Sequence, residues 1–96
     1  MTWTEWQQVE GHNFEEIIYE KKSIVETGAH AARITINRPQ VHNAVTDHTT
    51  DEMRYAFDDA SRDPMVGIVV LTGAGDRAFC SGGDVKWEAG ENYGIG

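Results

Sequence analysis

The residues with the greatest chemical potential lie between positions 68 and 84. There Ile68-Val69-Val70-Leu71 runs through Thr72-Gly73-Ala74-Gly75 into Phe79-Cys80-Ser81-Gly82-Gly83-Asp84. An apolar strand leads into a turn, and the turn into a paired glycine followed by an aspartate. Backbone that approaches a ligand closely needs residues without a Cβ, and Gly82-Gly83 supplies two of them at one point. With a helix beginning just after Gly83, free N–H groups would face that point, the geometry that holds a developing negative charge. Open α/β sheets place ligands at the C-terminal ends of their strands, which favours a ligand-contacting Gly83; a plain turn glycine is the competing explanation. Asp84 reads as a helix cap rather than an acid/base group. A carboxylate that accepts helix N–H bonds has a depressed pKa and shuttles protons poorly.

Other chemistries fit less well. The glycines of Thr72-Gly73-Ala74-Gly75 miss the dinucleotide spacing and are not followed by Gly-Lys-Ser/Thr, so they read as a tight turn. Cys80 could pair with His42 or His48 as nucleophile and base. Flanked by Phe79 and Ser81 at a strand exit, it reads instead as a small buried hydrophobe. The four histidines, His12, His30, His42 and His48, show no helical pair and no cysteines at ligand spacing, so no metal site is expected.

The elements that would position this turn follow from pattern. Residues 1–13 are polar, with Trp3 and Trp6, and read as a loosely held lead-in. Phe14, Ile17, Ile18 and Tyr19 mark a strand over 14–21, and Glu26-Thr27-Gly28 a turn. Ala32, Ile34 and Ile36 alternate with Arg33, Thr35 and Asn37, the period of a strand with one buried face, which Pro39 ends. These two strands form a hairpin. Thr46 caps a helix with Asp47, Asp51 and Glu52 near its start. Met53, Ala56, Phe57 and Ala60 make its apolar stripe, Asp58 and Arg62 pair at i, i+4, and Asp63-Pro64 stops it. Val66–Leu71 is an unbroken apolar run, which predicts a strand covered on both faces. Strand, helix and buried strand make an α/β unit with a right-handed βαβ crossover. Trp87–Gly96 contains three glycines and reads as a mobile loop.

Composition bounds the function classes. Ninety-six residues allow one domain with a modest core, and 40% hydrophobic content fits a globular chain. Sixteen acidic residues against eight basic ones leave a net charge of −8. That argues against nucleic acid and anionic membrane as partners, since both reward clustered Lys and Arg. It leaves room for a phosphorylated small molecule. The lone Cys80 permits no intrachain disulfide, and residues 1–8 lack the basic and apolar blocks of a secretory signal. No apolar run reaches membrane-spanning length, so a cytoplasmic protein is expected.

At this point the residues become specific. Ile34-Thr35-Ile36-Asn37-Arg38-Pro39, His42-Asn43-Ala44, Leu71-Thr72-Gly73 and Ala78-Phe79-Cys80-Ser81-Gly82-Gly83-Asp84 occur in order at spacings that resemble the crotonase (enoyl-CoA hydratase/isomerase) superfamily. Within it, residues 40–44 and 73–84 are most similar to the 1,4-dihydroxy-2-naphthoyl-CoA synthases (naphthoate synthases) of menaquinone biosynthesis. Ring-cleaving 2-ketocyclohexanecarboxyl-CoA hydrolases share much of the pattern. The likeness covers residues 14–86. It implies the N-terminal part of a ββα spiral: hairpin, helix, buried strand and glycine-rich oxyanion turn. It implies an acyl-CoA thioester as substrate, with no covalently bound cofactor, and an enolate formed from it. The Gly83 N–H would be one oxyanion-hole donor. Val41, His42 and Ala44, then Ser81, Gly82, Gly83, Asp84, Val85 and Lys86, would line the CoA, and Tyr93 matches the family's loop tyrosine. Val85 stands where these synthases carry Gln, and Trp87-Glu88-Ala89 also depart from them.

The resemblance implies that residues 14–96 are a partial domain, ending before the second oxyanion donor and the acid/base residues. The full-length form would be a lyase or hydratase and a homo-oligomer, a trimer or hexamer. An enoyl-CoA hydratase, a ring hydrolase and a non-catalytic or truncated CoA-binding module are the alternatives.

Overall fold

The structure is a computed structural model, and it describes residues 1–76, 79, 80 and 82. The helix forms where the cap and the periodicity place it. α1 spans Asp47–Arg62. The Thr46 hydroxyl accepts the Thr49 N–H, and the Thr49 hydroxyl accepts the Thr46 N–H. Two of the N–H groups that a helix start leaves open are thereby satisfied. Asp47 in the first turn and Arg62 in the last complement the helix dipole. Pro64 disfavours helical geometry at Asp63, which is extended, and α1 ends there. Arg62 pairs with Asp58 at 3.3 Å, as the spacing predicts.

Four strands make one sheet in the order β1-β2-β3-β4: Gln7–Gln8, Ile17–Ser23, His30–Ile36 and Val66–Gly73. β2 and β3 are the expected antiparallel hairpin, in a register that opposes Tyr19 to Ile34. β3 and β4 run parallel on either side of α1 in sequence, the expected βαβ unit. Period-2 alternation turns Ile17, Tyr19, Ala32 and Ile34 toward α1, where they pack on Ala56 and Ala60 with Val69 and Leu71 alongside. The chain is thus the mixed α/β arrangement predicted.

Three expectations need correction. Residues 1–13 are tied down: β1 pairs with β2, Trp3 bridges Ile24, and the Lys22 ammonium lies 4.7 Å from both the Trp3 and Trp6 rings. The Arg33 guanidinium also lies over the Trp6 ring, at 4.2 Å. β4 is not covered on both faces among the described residues. Ile68 and Val70, on the side away from α1, are 57% and 39% exposed. The buried face of α1 is Thr49, Glu52, Ala56 and Ala60, while Phe57 is 39% exposed. A polar pair has replaced the aromatic because chain-distant groups satisfy it.

A second polar cluster closes the open side of the core. Tyr19, fully buried, donates its hydroxyl to Asp59 at 2.6 Å. Lys21 bonds Asp63 at 2.9 Å, and Asp63 also accepts the Met65 N–H. The Lys21 hydrogen bond, then the Met65 N–H, hold Asp63 down to about 2 from an ordinary 3.8. The Tyr19 hydroxyl, then the Lys21 charge, outweigh burial and hold Asp59 below its ordinary range as well. Both carboxyls stay ionised in the fold at pH values where the unfolded chain binds protons, so stability rises with pH there. The contribution is present above pH 3.8 and is lost as pH falls toward about 2. The expected result is a melting temperature that drops steeply across that window in the wild type and less steeply in Asp63→Asn. Parallel pH profiles would overturn it.

Candidate functional site

The segment after β3 folds into a compact loop. Pro39–Val41 form one 3₁₀ turn, and the N–H groups of His42, Asn43 and Ala44 return to the carbonyls of Pro39, Arg38 and Val41. His42 and Asn43 both lie in the left-handed region, at φ 52° and 57°. That region is costly for most residues, and Asn and His are among those that visit it most. Asn43 is buried, and its carboxamide is used at both ends. The Oδ1 accepts the Arg38 N–H at 2.9 Å, and the Nδ2 donates to the Ala74 carbonyl at 2.9 Å.

Arg38 braces the loop from below. Its guanidinium donates to the Ala44 carbonyl and lies 3.5 Å from Glu16. Glu16 also accepts the hydroxyls of Thr46 and Thr49. Burial pushes the Glu16 carboxyl up, but the two hydroxyl bonds and the Arg38 charge outweigh it, and its pKa falls below the ordinary value. One ionised carboxylate thus ties the helix start, the loop and the beginning of β2 together.

The loop then meets the glycine turn. Val45 donates its N–H to the Gly82 carbonyl at 2.9 Å, with Gly82 at φ +106°. The Cys80 sulfur accepts the Gly82 N–H at 3.4 Å. Cys80 is half-buried and engaged within its own turn, rather than the buried hydrophobe expected. At the end of β4, a Cβ on Gly73 would overlap the Phe79 carbonyl oxygen and lie 2.7 Å from Asn43 Nδ2. Only glycine fits there.

Of the predicted site residues, Val41 and His42 face solvent, Ala44 is buried, and Gly82 joins the loop through Val45. Ser81, Gly83, Asp84, Val85, Lys86 and Tyr93 lie outside the described residues. Sequence reasoning missed Asn43, Arg38 and Gly73 as the parts that hold the two segments together. The signal for Asn43 was its place after the 3₁₀ turn, where a residue tolerant of positive φ is required.

Among the described residues, Glu15, His48 and Glu52 bring ligand-type atoms within 4.8 Å of one another. The Glu52 oxygens already accept the N–H groups of Glu15 and Glu16, each at 2.7 Å, and the His48 ring lies 3.2 Å away. This trio therefore joins α1 to the segment before β2.

Residues 26–95 match the family model described as enoyl-CoA hydratase/isomerase. The chain belongs to this family. Solved members of the enoyl-CoA hydratase/isomerase family superpose on it. One from Mycobacterium paratuberculosis is 43% identical, with a TM-score of 0.64, over 77% of this chain and 26% of its own. An enoyl-CoA hydratase from Bacillus anthracis is 27% identical, with a TM-score of 0.71, over 84% of this chain and 30% of its own. A carnitinyl-CoA dehydratase from Mycobacterium avium is 39% identical, with a TM-score of 0.65, over 74% and 25%. The chain spans about a quarter of the length of the solved relatives it matches. Among the described residues, no helix is long and apolar enough to cross a membrane.

Proposed function

We propose that this chain carries the acyl-CoA-holding half of a crotonase-type site, in which the Gly83 N–H stabilises a thioester enolate. The observation that supports this most directly is the Val45 N–H bond to the Gly82 carbonyl. Anchoring that carbonyl ties the glycine turn, which the reading assigns to the thioester oxygen, to the loop that would line the CoA. A fixed donor aimed where charge develops is what an enolate needs, and losing one such donor typically costs about 3 kcal/mol of barrier. The exposed Val41-His42 tip and the Ser81–Lys86 segment would line the CoA, with Tyr93 beyond.

Within the family, identity of 43% and 39% to an enoyl-CoA hydratase/isomerase and a carnitinyl-CoA dehydratase favours hydration or isomerisation of an enoyl-CoA by the full-length form. The second reading, a naphthoyl-CoA-synthase-like lyase closing a ring on an aryl-CoA, rests on residues 40–44 and 73–84. In both readings the 96 residues supply one oxyanion donor and the CoA loops. The second donor and the acid/base residues belong to the part of the family domain beyond Gly96. A cytoplasmic homo-oligomer, trimeric or hexameric, is the assembly this reading implies.

Calorimetric titration of the chain with acetoacetyl-CoA tests the reading. Saturable heat exceeding that for free CoA is expected, with no hydration or ring closure by the isolated chain. An absence of heat at millimolar ligand would overturn the binding claim, and turnover by the isolated chain would overturn the half-site claim. Turnover of enoyl-CoA against aryl-CoA by the full-length form separates the two reactions.

A further inference from the structure

We propose that Asn43 is a positioning residue that latches the Arg38–Ala44 loop to the end of β4 and, through Val45, sets the orientation of the Gly82 peptide. Asn43 contributes no reacting atom. Its carboxamide reaches Ala74, 31 residues further along the chain, holding that carbonyl with Nδ2 and the Arg38 N–H with Oδ1. Asn43 is 1% exposed, so these bonds form where water does not compete for the same groups.

Further contacts couple the latch to the sheet and to the turn. Ala74 is itself fixed to the sheet, because its N–H donates to the Ile36 carbonyl at 2.8 Å. Asn43 therefore references the loop to the β3–β4 ladder rather than to another loop. Gly73 allows the approach, since a Cβ there would lie 2.7 Å from Nδ2. Two residues on from Asn43, Val45 passes the same reference to Gly82. The loop assigned to the CoA and the turn assigned to the thioester oxygen are thus held at one fixed separation. Misplacing such a group by about 1 Å can cost on the order of a hundredfold in rate. The functional use of the latch rests on the acyl-CoA reading, whereas the latch itself does not.

Asn43→Asp separates the two halves of the carboxamide. An aspartate still accepts the Arg38 N–H but cannot donate to the Ala74 carbonyl. Amide hydrogen exchange of the 96-residue chain is compared for wild type, Asn43→Asp and Asn43→Ala, together with titration of acetyl-CoA and free CoA. In both variants the Val45 amide is expected to exchange at least tenfold faster, with the Ala56 and Ala60 amides of α1 within twofold of wild type. The preference for acetyl-CoA over free CoA is expected to fall at least fivefold in Asn43→Asp. Unchanged Val45 exchange, or α1 amides that lose protection along with Val45 in both variants, would overturn the latch. An unchanged acetyl preference would overturn its role in positioning. Wild type that binds neither ligand would sink the acyl-CoA reading, and with it that role, while the exchange result still decides the latch.

Discussion

Replacing Gly73 with alanine is expected to cost about 3 kcal/mol of folding free energy, the upper end of what overpacking usually costs. The new methyl group would meet the backbone carbonyl of Phe79 and the Asn43 carboxamide, and neither is the free end of a flexible side chain. Relief requires the 79–82 turn to move away from β4, which also breaks the contacts that hold Gly82. The same strand provides the control. Gly67 has nothing within 4 Å of an added Cβ. Gly67→Ala should therefore be neutral or stabilising by about 0.5 kcal/mol, as an alanine loses less backbone freedom on folding. Urea midpoints at constant m-value give both numbers. Equal midpoints for the two variants would refute the steric account.

Glu52→Ala should be comparably damaging, at about 3 kcal/mol, because two backbone N–H groups lose their acceptor in a partly buried place. Glu52 is 6% exposed, and its two oxygens take the N–H groups of Glu15 and Glu16 from 36 and 37 residues away. One of its oxygens also lies 3.2 Å from the His48 ring, one turn earlier on α1. Glu52→Gln keeps one acceptor oxygen but turns an amide donor toward the other N–H. An intermediate loss of about 1.5 kcal/mol is expected. The midpoint shifts should be accompanied by faster exchange of the Glu15 and Glu16 amides. A Glu52→Ala variant as stable as wild type would show that water replaces the carboxylate without cost. Against a typical total of about 5–15 kcal/mol for a domain, either loss is large.

These two residues also show where pattern reading stops. The hairpin, α1 and the end of α1 at Asp63-Pro64 were legible, because alternation, capping and proline act within a few residues of sequence. Burial of Glu52 was not legible. On a helical wheel it is a charged residue in the first turns, and only the return of Glu15 and Glu16 makes that position interior. β1 was missed for a related reason: Gln7 and Gln8 pair through backbone groups and carry exposed polar side chains, which leave no periodic trace. In β4 the apolar run was read correctly as a strand, but pattern does not tell which neighbours cover its faces. At the site, the motif residues were visible as a string. The string did not reveal that Asn43 bridges Arg38 and Ala74, since a side chain that spans two loops has no spacing of its own.

The described edge of the sheet has a colloidal consequence. Val66–Gly73 contains no charge and no proline, and Ile68 and Val70 stand out from it. Natural edge strands commonly carry an inward lysine, a bulge or a proline that spoils pairing with another copy. In β4 the one such device among the described residues is the register irregularity opposite His30 and Ala31, at its N-terminal end; from Ile68 onward, long-range repulsion from the net charge of −8 is what opposes that pairing. Opposition to pairing along that edge therefore lies mainly in the chain's charge, and salt weakens it at a pH where the Asp59 and Asp63 contacts of the core stay intact.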